Sequence, residues 1–250
     1  MSGLFAIAWG RLRRPGLAVV GVACITFALL AMLAIPLTAS LGLTAAARTV
    51  ADLAGLGLRI TLGITALFLG SASIGPPVRA GHPEIWFAHG LRRGHWLAGQ
   101  TLAAAITLLG LLMTLTLTWW AISATQSVEL PFSTASFLGM CIVECAVVYS
   151  LSTLCGCLAR GAAGPALAVV WLGAATLCNA TAGLGLDGPL AWTTTGLACL
   201  VPTLAGLDLQ QVLLHGAPAS ALAISALHGS LWVVGTHLAV AFWLTQSDRA

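Results

Sequence analysis

Apolar residues in this chain come in long unbroken blocks, and polar residues collect in the short stretches between them. Gly16 to Thr38 carries no charge over 23 residues, enough to cross a bilayer with some tilt. A cleaved leader would have a shorter apolar region of roughly 7–15 residues, so this block predicts a retained first span over 16–38. Further blocks predict spans over 53–74, 97–122, 135–159, 165–184 and 219–244. Pro76-Pro77 is expected to stop the second span. Glu129 and Pro131 mark a turn after the third, and 160–164 a tight loop after the fourth. Leu190 to Leu204 is apolar but only fifteen residues long, with Pro189 and Pro202 near its ends. That suits a re-entrant or interfacial segment over 189–206 better than a span. Counting it as a span would give seven and reverse the side of the C-terminus; the pattern is read as six. Residues 1–15 mix Leu4, Phe5, Ile7 and Leu12 with three arginines. They predict a helix lying in the interface, with a short extension of the first span as the alternative.

Composition agrees. The 250-residue chain is 59% hydrophobic and 7% charged, against roughly 25% charged in soluble domains. Too little polar surface exists to cover a globule. The expected fold is an all-α polytopic membrane protein, a single transmembrane domain over 1–250.

Charge then fixes an orientation and excludes some chemistry. All ten basic residues are arginine. A phosphate-binding P-loop and a Schiff-base mechanism both need a lysine, so any ATP site must lie on another chain. With an inside N-terminus, the inner segments hold Arg11, Arg13, Arg14, Arg79, Arg92, Arg93, Arg160 and Arg249, leaving Arg48 and Arg59 toward the outside. That bias follows the positive-inside rule and puts both termini in the cytoplasm. Arg48 and Asp52, four apart, are expected to pair. Trp119 and Trp120 fall at one predicted membrane edge, Trp9 and Trp96 at the other, as aromatic belts do.

The stretch GHPEIWFAHGLRRGHW, Gly81 to Trp96, is the polar exception. It falls in the longest inner loop. Pro83 suits the start of a helix and Glu84 its first turn. Ile85, Trp86, Phe87 and Leu91 give an apolar side, and Arg92, Arg93 and His95 complement the far end of the dipole. A surface helix over 82–95 follows. It serves either as a topology anchor or as a docking element, and the residues alone do not choose.

Inside the spans, Glu144 is the only acidic residue well within a predicted span. Intramembrane carboxylates are costly and face protein or water, so Glu144 is a candidate for a pathway or a proton site, set against a packing role. Cys141 and Cys145 are one turn apart with Cys155 near the same stripe, a pattern open to a soft metal or to cysteines that simply pack. His228 and His237, nine residues apart, fall on opposite faces of one helix. His82, His89 and His95 lack His-Glu-x-x-His spacing. Small residues, including Gly70, Ser71, Gly156, Gly161, Gly229 and Gly235, suit close helix approach. Neither GSAS nor HGSL fits an intramembrane serine protease.

The loop resembles that of permease subunits of type-2 ABC transporters. Their loop reads Gly-x-x-Glu, then apolar residues, then Pro-x-Ser-Arg, then Leu-x-Gly-Lys. Here stand Gly81, Glu84, Ile85 to Phe87, Arg92 or Arg93, Leu97 and Gly99. Gly90 stands near the usual proline, and Gln100 replaces the lysine. Leu200 to Gly216, with Pro202, Asp208 and Gly216, is similar to the family's extracytoplasmic segment before the last span. The resemblance implies an exporter subunit in a bacterial inner membrane, paired with a second permease copy and surrounded by lipid, with no nucleic acid involved. It implies a cytosolic ABC ATPase that carries ATP and magnesium and docks on Glu84, Ile85, Trp86, Phe87, Leu91, Arg92 and Arg93. No enzyme activity, cofactor or metal is expected of this chain itself. A non-transporting membrane anchor of a larger complex is the competing function.

Overall fold

A computed structural model describes residues 46–125, 134–182, 188, 192–193 and 216–246. The predicted segments 1–15 and 16–38, the turn at Glu129 and Pro131, and nearly all of 189–206 lie outside the described residues. The side chains of Arg48, Asp52, Ile85 and Trp86 lie outside them too. Among the described residues every regular element is helical: α1 (Ala46–Ser73), α2 (Gly75–Arg79), α3 (Glu84–Ala88), α4 (Arg93–Thr125), α5 (Thr134–Leu158), α6 (Ala163–Ala182) and α7 (Ala219–Gln246). Among the described residues, four stretches are long and apolar enough to cross a membrane: Ala54–Arg79, Arg93–Ala121, Thr134–Leu158 and Ala219–Gln246.

The helices pack around α5. It touches α1, α2, α6 and α7 and is buried along most of its length. α1 turns Leu58, Leu62, Ala66 and Leu69 into the bundle and Ile60, Ile64 and Phe68 outward, the period of a helix with one apolar neighbour face. Lipid is as apolar as leucine, so association depends on close contact rather than on water release. Glycine permits that contact. A Cβ built on Gly156 of α5 would stand 2.5 Å from the Ser71 carbonyl oxygen of α1. Gly70 lies against the Tyr149 carbonyl, and Gly75 against the backbone of Gly156. Hydrogen bonds cross the same seam: Ser152 donates to the Leu67 carbonyl, and Tyr149 donates to Ser73 Oγ at 3.3 Å. Gly235, expected to serve packing, has open space around it.

One buried cluster fixes the ends of the helices. Ile74, Trp96, Leu97, Cys157, Val240 and Leu244 meet there. The end of α1, the start of α4 and the ends of α5 and α7 therefore share one end of the bundle, the loop end. α7 runs in the same direction as α1 and α5. Arg79, Arg92, Arg93 and Arg160 all fall at this end.

Three local expectations change. The second span is broken at Ile74, before the prolines, and Pro76 and Pro77 sit in the first turn of α2. There a missing N–H costs nothing and the fixed φ favours the helix. The surface helix is five residues, Glu84–Ala88, not fourteen. Gly90 at φ +80° ends it, and Arg93 opens α4 instead of closing α3. Trp96 and Trp119 are buried, packed edge-on to Phe87 and Phe137, whereas Trp120 faces outward.

Candidate functional site

Two features stand out where polar residues meet this apolar bundle. The first is at the loop end. Gly81, at φ +69°, turns the chain into α3, and Pro83 is buried beneath it. Phe87 and Leu91 pack on the cluster that joins α1, α4, α5 and α7. The Phe87 ring meets Trp96 edge-on at 6.1 Å, and the Arg93 guanidinium lies 5.5 Å over its face, a cation–π contact. Arg79 Nη1 donates to the Cys157 carbonyl at 3.2 Å, placing a cation on the C-terminal end of α5, where the dipole is negative. Glu84, Arg92, His82, His89 and His95 are exposed. The predicted docking set thus divides: Phe87, Leu91 and Arg93 root the loop in the bundle, and Glu84 and Arg92 point away from it.

The second feature lies within the bundle. Arg59 Nε donates to Glu144 Oε2 at 2.7 Å and Nη2 to Oε1 at 2.8 Å, a bidentate fork that joins α1 to α5. Arg59 precedes Ser73 by fourteen residues and Glu144 precedes Leu158 by fourteen. At 1.5 Å per residue both stand about 21 Å from the loop end. Matched depth is why the two charges meet. The side chains are 33% and 26% exposed, so the pair is not sealed in a core. It lines a groove of about 440 Å³ between α1, α5 and α6. Leu56, Ile60, Ile64, Leu67, Val169 and Leu172 form the apolar walls, and Gly63 and Gly173 leave room.

Glu144, the one acidic residue expected well within a span, therefore pairs with Arg59, which the charge pattern placed only toward the outside. The signal was available. Arg59 lies inside the predicted span 53–74, and an arginine and a glutamate at equal distance from their spans' inner ends form a natural pair.

The remaining candidates lie elsewhere in the bundle. Cys141, Cys145, Cys155 and Cys157 are reduced and buried. Among the described residues, no group of three or more His, Cys, Asp or Glu side chains stands together as a metal site would need. His237 donates from Nδ1 to the Val233 carbonyl at 2.9 Å, leaving Nε2 as the acceptor facing Thr101 Oγ1 at 3.4 Å. Its ring lies beside Tyr149 at 6.5 Å. Cys141, Cys145 and His237 also line a second, smaller cleft of about 180 Å³ between α1, α4, α5 and α7, with almost entirely apolar walls. Comparison with protein-family models, characterised proteins and solved structures gave no match, so what the chain does has to be read from these residues.

Proposed function

We propose that this chain is the membrane-spanning permease subunit of an ATP-driven exporter of the type-2 ABC kind. Two such chains pair in a bacterial cytoplasmic membrane, and separate ATPase subunits, which hold ATP and magnesium, dock at the loop end. The observation that carries this reading is the double attachment of the short α3 element. Phe87 packs on the cluster at the ends of four helices, and Glu84, with Arg92 just beyond the helix, is exposed to a partner. A displacement of α3 is thereby delivered to α1, α4, α5 and α7 together, and through Arg79 to the end of α5. The transport path is read as running beside the Arg59–Glu144 pair, because intramembrane charges mark pathways.

The six-span topology belongs to the same proposal. α6 has the 20 residues a span needs. The direction of α7 matches the six-span count and would be reversed by a seventh span. The gathering of four arginines at the loop end supports a cytosolic location for that end.

The test is purification with the partner and measurement of hydrolysis and transport in vesicles. Glu84→Ala combined with Arg92→Ala should separate hydrolysis from transport while the helical circular dichroism stays as in the parent. Normal coupling in that folded variant would refute the docking role. A partner without nucleotide-binding motifs would identify the chain as a membrane anchor instead.

A further inference from the structure

We infer that the cleft between α1, α4, α5 and α7 binds a single-chain lipid alcohol. Its hydroxyl donates to His237 Nε2, and its chain lies along α4 and α5. The site is distinct from the Arg59–Glu144 groove and does not rest on the transport reading.

Three observations select this ligand. The first is an under-used acceptor. His237 commits its Nδ1 hydrogen to the Val233 carbonyl at 2.9 Å, so Nε2 presents a lone pair to the cleft. Among the described residues its one hydrogen-bonding contact is Thr101 Oγ1 at 3.4 Å, longer than the roughly 2.7–3.2 Å of a good hydrogen bond. Thr101 can yield that contact cheaply. On the same helix Thr107, Thr114 and Thr118 each donate to the carbonyl four residues back at 2.9 Å, and Thr101 has the same option. The neighbouring hydroxyls are engaged within the bundle: Ser150 donates to the Ala146 carbonyl at 2.6 Å and Tyr149 to Ser73.

The second is shape. From Thr101 and His237 the cleft runs away from the loop end past Leu62, Leu108, Leu112, Cys141 and Cys145. Thr101 and Leu112 are eleven residues apart, about 16 Å along α4, so the space suits a chain. The volume of about 180 Å³ slightly exceeds the ~150 Å³ apolar cavity that takes one benzene, and so holds about six to eight carbons. Leu109 and Ile142 line the cleft and are exposed, so the rest of the chain can continue into the hydrocarbon. The third is charge. The residues lining the cleft include no arginine, aspartate or glutamate, so an ammonium or a carboxylate would enter uncompensated. An ether or ester brings no donor for Nε2, whereas a hydroxyl is uncharged and supplies one.

The experiment uses the full chain in nanodiscs, with empty nanodiscs as the reference for partitioning into lipid. The probes are dodecanol, dodecyl methyl ether and dodecyltrimethylammonium, and a diazirine-bearing dodecanol maps the site. Dodecanol should bind about two- to tenfold more tightly than the ether, the worth of one uncharged hydrogen bond, and the ammonium should not compete. Photolabel should fall on Leu108, Leu109, Leu112 or Ile142 and be competed by dodecanol. His237→Phe keeps a ring and removes the acceptor; it should bind alcohol and ether equally while the same residues are labelled. In a chain carrying nitrogen-15 histidine, the Nε2 resonance missing from the H237F spectrum should move on adding dodecanol and stay in place on adding the ether. Ala105 lines the cleft, and Ala105→Phe should fill it and abolish labelling while the helical circular dichroism stays as in the parent.

Equal binding of alcohol and ether by the parent would overturn the proposal. So would a preference for the alcohol surviving in H237F, or a His237 resonance that dodecanol leaves unmoved. Label that misses these residues, because water alone, residues 16–38 or a second copy occupies the cleft, would overturn it as well.

Discussion

Gly156→Ala tests the glycine seam directly. The added methyl would meet the Ser71 carbonyl oxygen at 2.5 Å and Ser71 Cα at 2.9 Å. Both belong to the backbone, so no side chain can rotate away and α5 must retreat from α1 by several tenths of an ångström. A radial gap of about 0.5–1 Å forfeits a quarter to a half of each dispersion contact, each worth roughly 0.1–0.2 kcal/mol. Over a seam that includes Gly70, Gly75, Tyr149 and Ser152 the loss comes to about 1–2 kcal/mol. The hydrogen bonds from Ser152 to Leu67 and from Tyr149 to Ser73 stretch together with it, at roughly 0.6 kcal/mol each. Set against this is the gain of about 0.8–1.0 kcal/mol from replacing a helical glycine by alanine. Gly235→Ala isolates that gain, since nothing lies within 4 Å of a Cβ there. The two variants should therefore differ by about 2–3 kcal/mol when unfolding in mixed micelles is followed by circular dichroism. Coincident unfolding curves for G156A and G235A would refute the close-packed seam.

Glu144→Gln alone should destabilise the bundle by about 1–3 kcal/mol, because the carboxylate that accepts the Arg59 Nε and Nη2 bonds is lost, and R59Q/E144Q should recover part of that loss; the same micelle titration reads both. Phe87→Ala removes the edge contact to Trp96 and the Arg93 cation–π pair, and should cost about 1–3 kcal/mol while exposing backbone 81–92 to faster hydrogen exchange. Cys141, Cys145, Cys155 and Cys157, all buried, should resist a water-soluble maleimide until the chain is unfolded, as mass spectrometry of alkylated peptides will show.

The helical class and four of the membrane-crossing blocks were legible because bilayer thickness imposes a length on apolar sequence, and that length is visible without any structure. The loop element was legible in kind but not in extent. Its composition suits a helix from 82 to 95, but a single glycine at 90 takes a left-handed turn that composition does not reveal. Tryptophan position misled for a similar reason: Trp96 and Trp119 stand near the membrane edges in sequence, yet whether a ring points to headgroups or to a neighbouring helix depends on rotation about the helix axis. The hydrophobic pattern is too uniform to set that rotation; α4, which carries both rings, is apolar around most of its circumference. The ion pair needed one further step, comparison of depth between two spans, which uses only residue counting.

The Arg59–Glu144 contact also has a history within each molecule. Its two residues are 85 positions apart, and a ribosome adding about 5–20 residues per second takes roughly 4–17 s to travel between them. For that interval α1 exists and its acidic counterpart does not. An arginine at the centre of a spanning helix costs about 2.5–3.5 kcal/mol by insertion scales, and its long stem lets the head reach for the nearer aqueous boundary. The arrival of α5 thus supplies, late in synthesis, the carboxylate that accepts both Arg59 bonds.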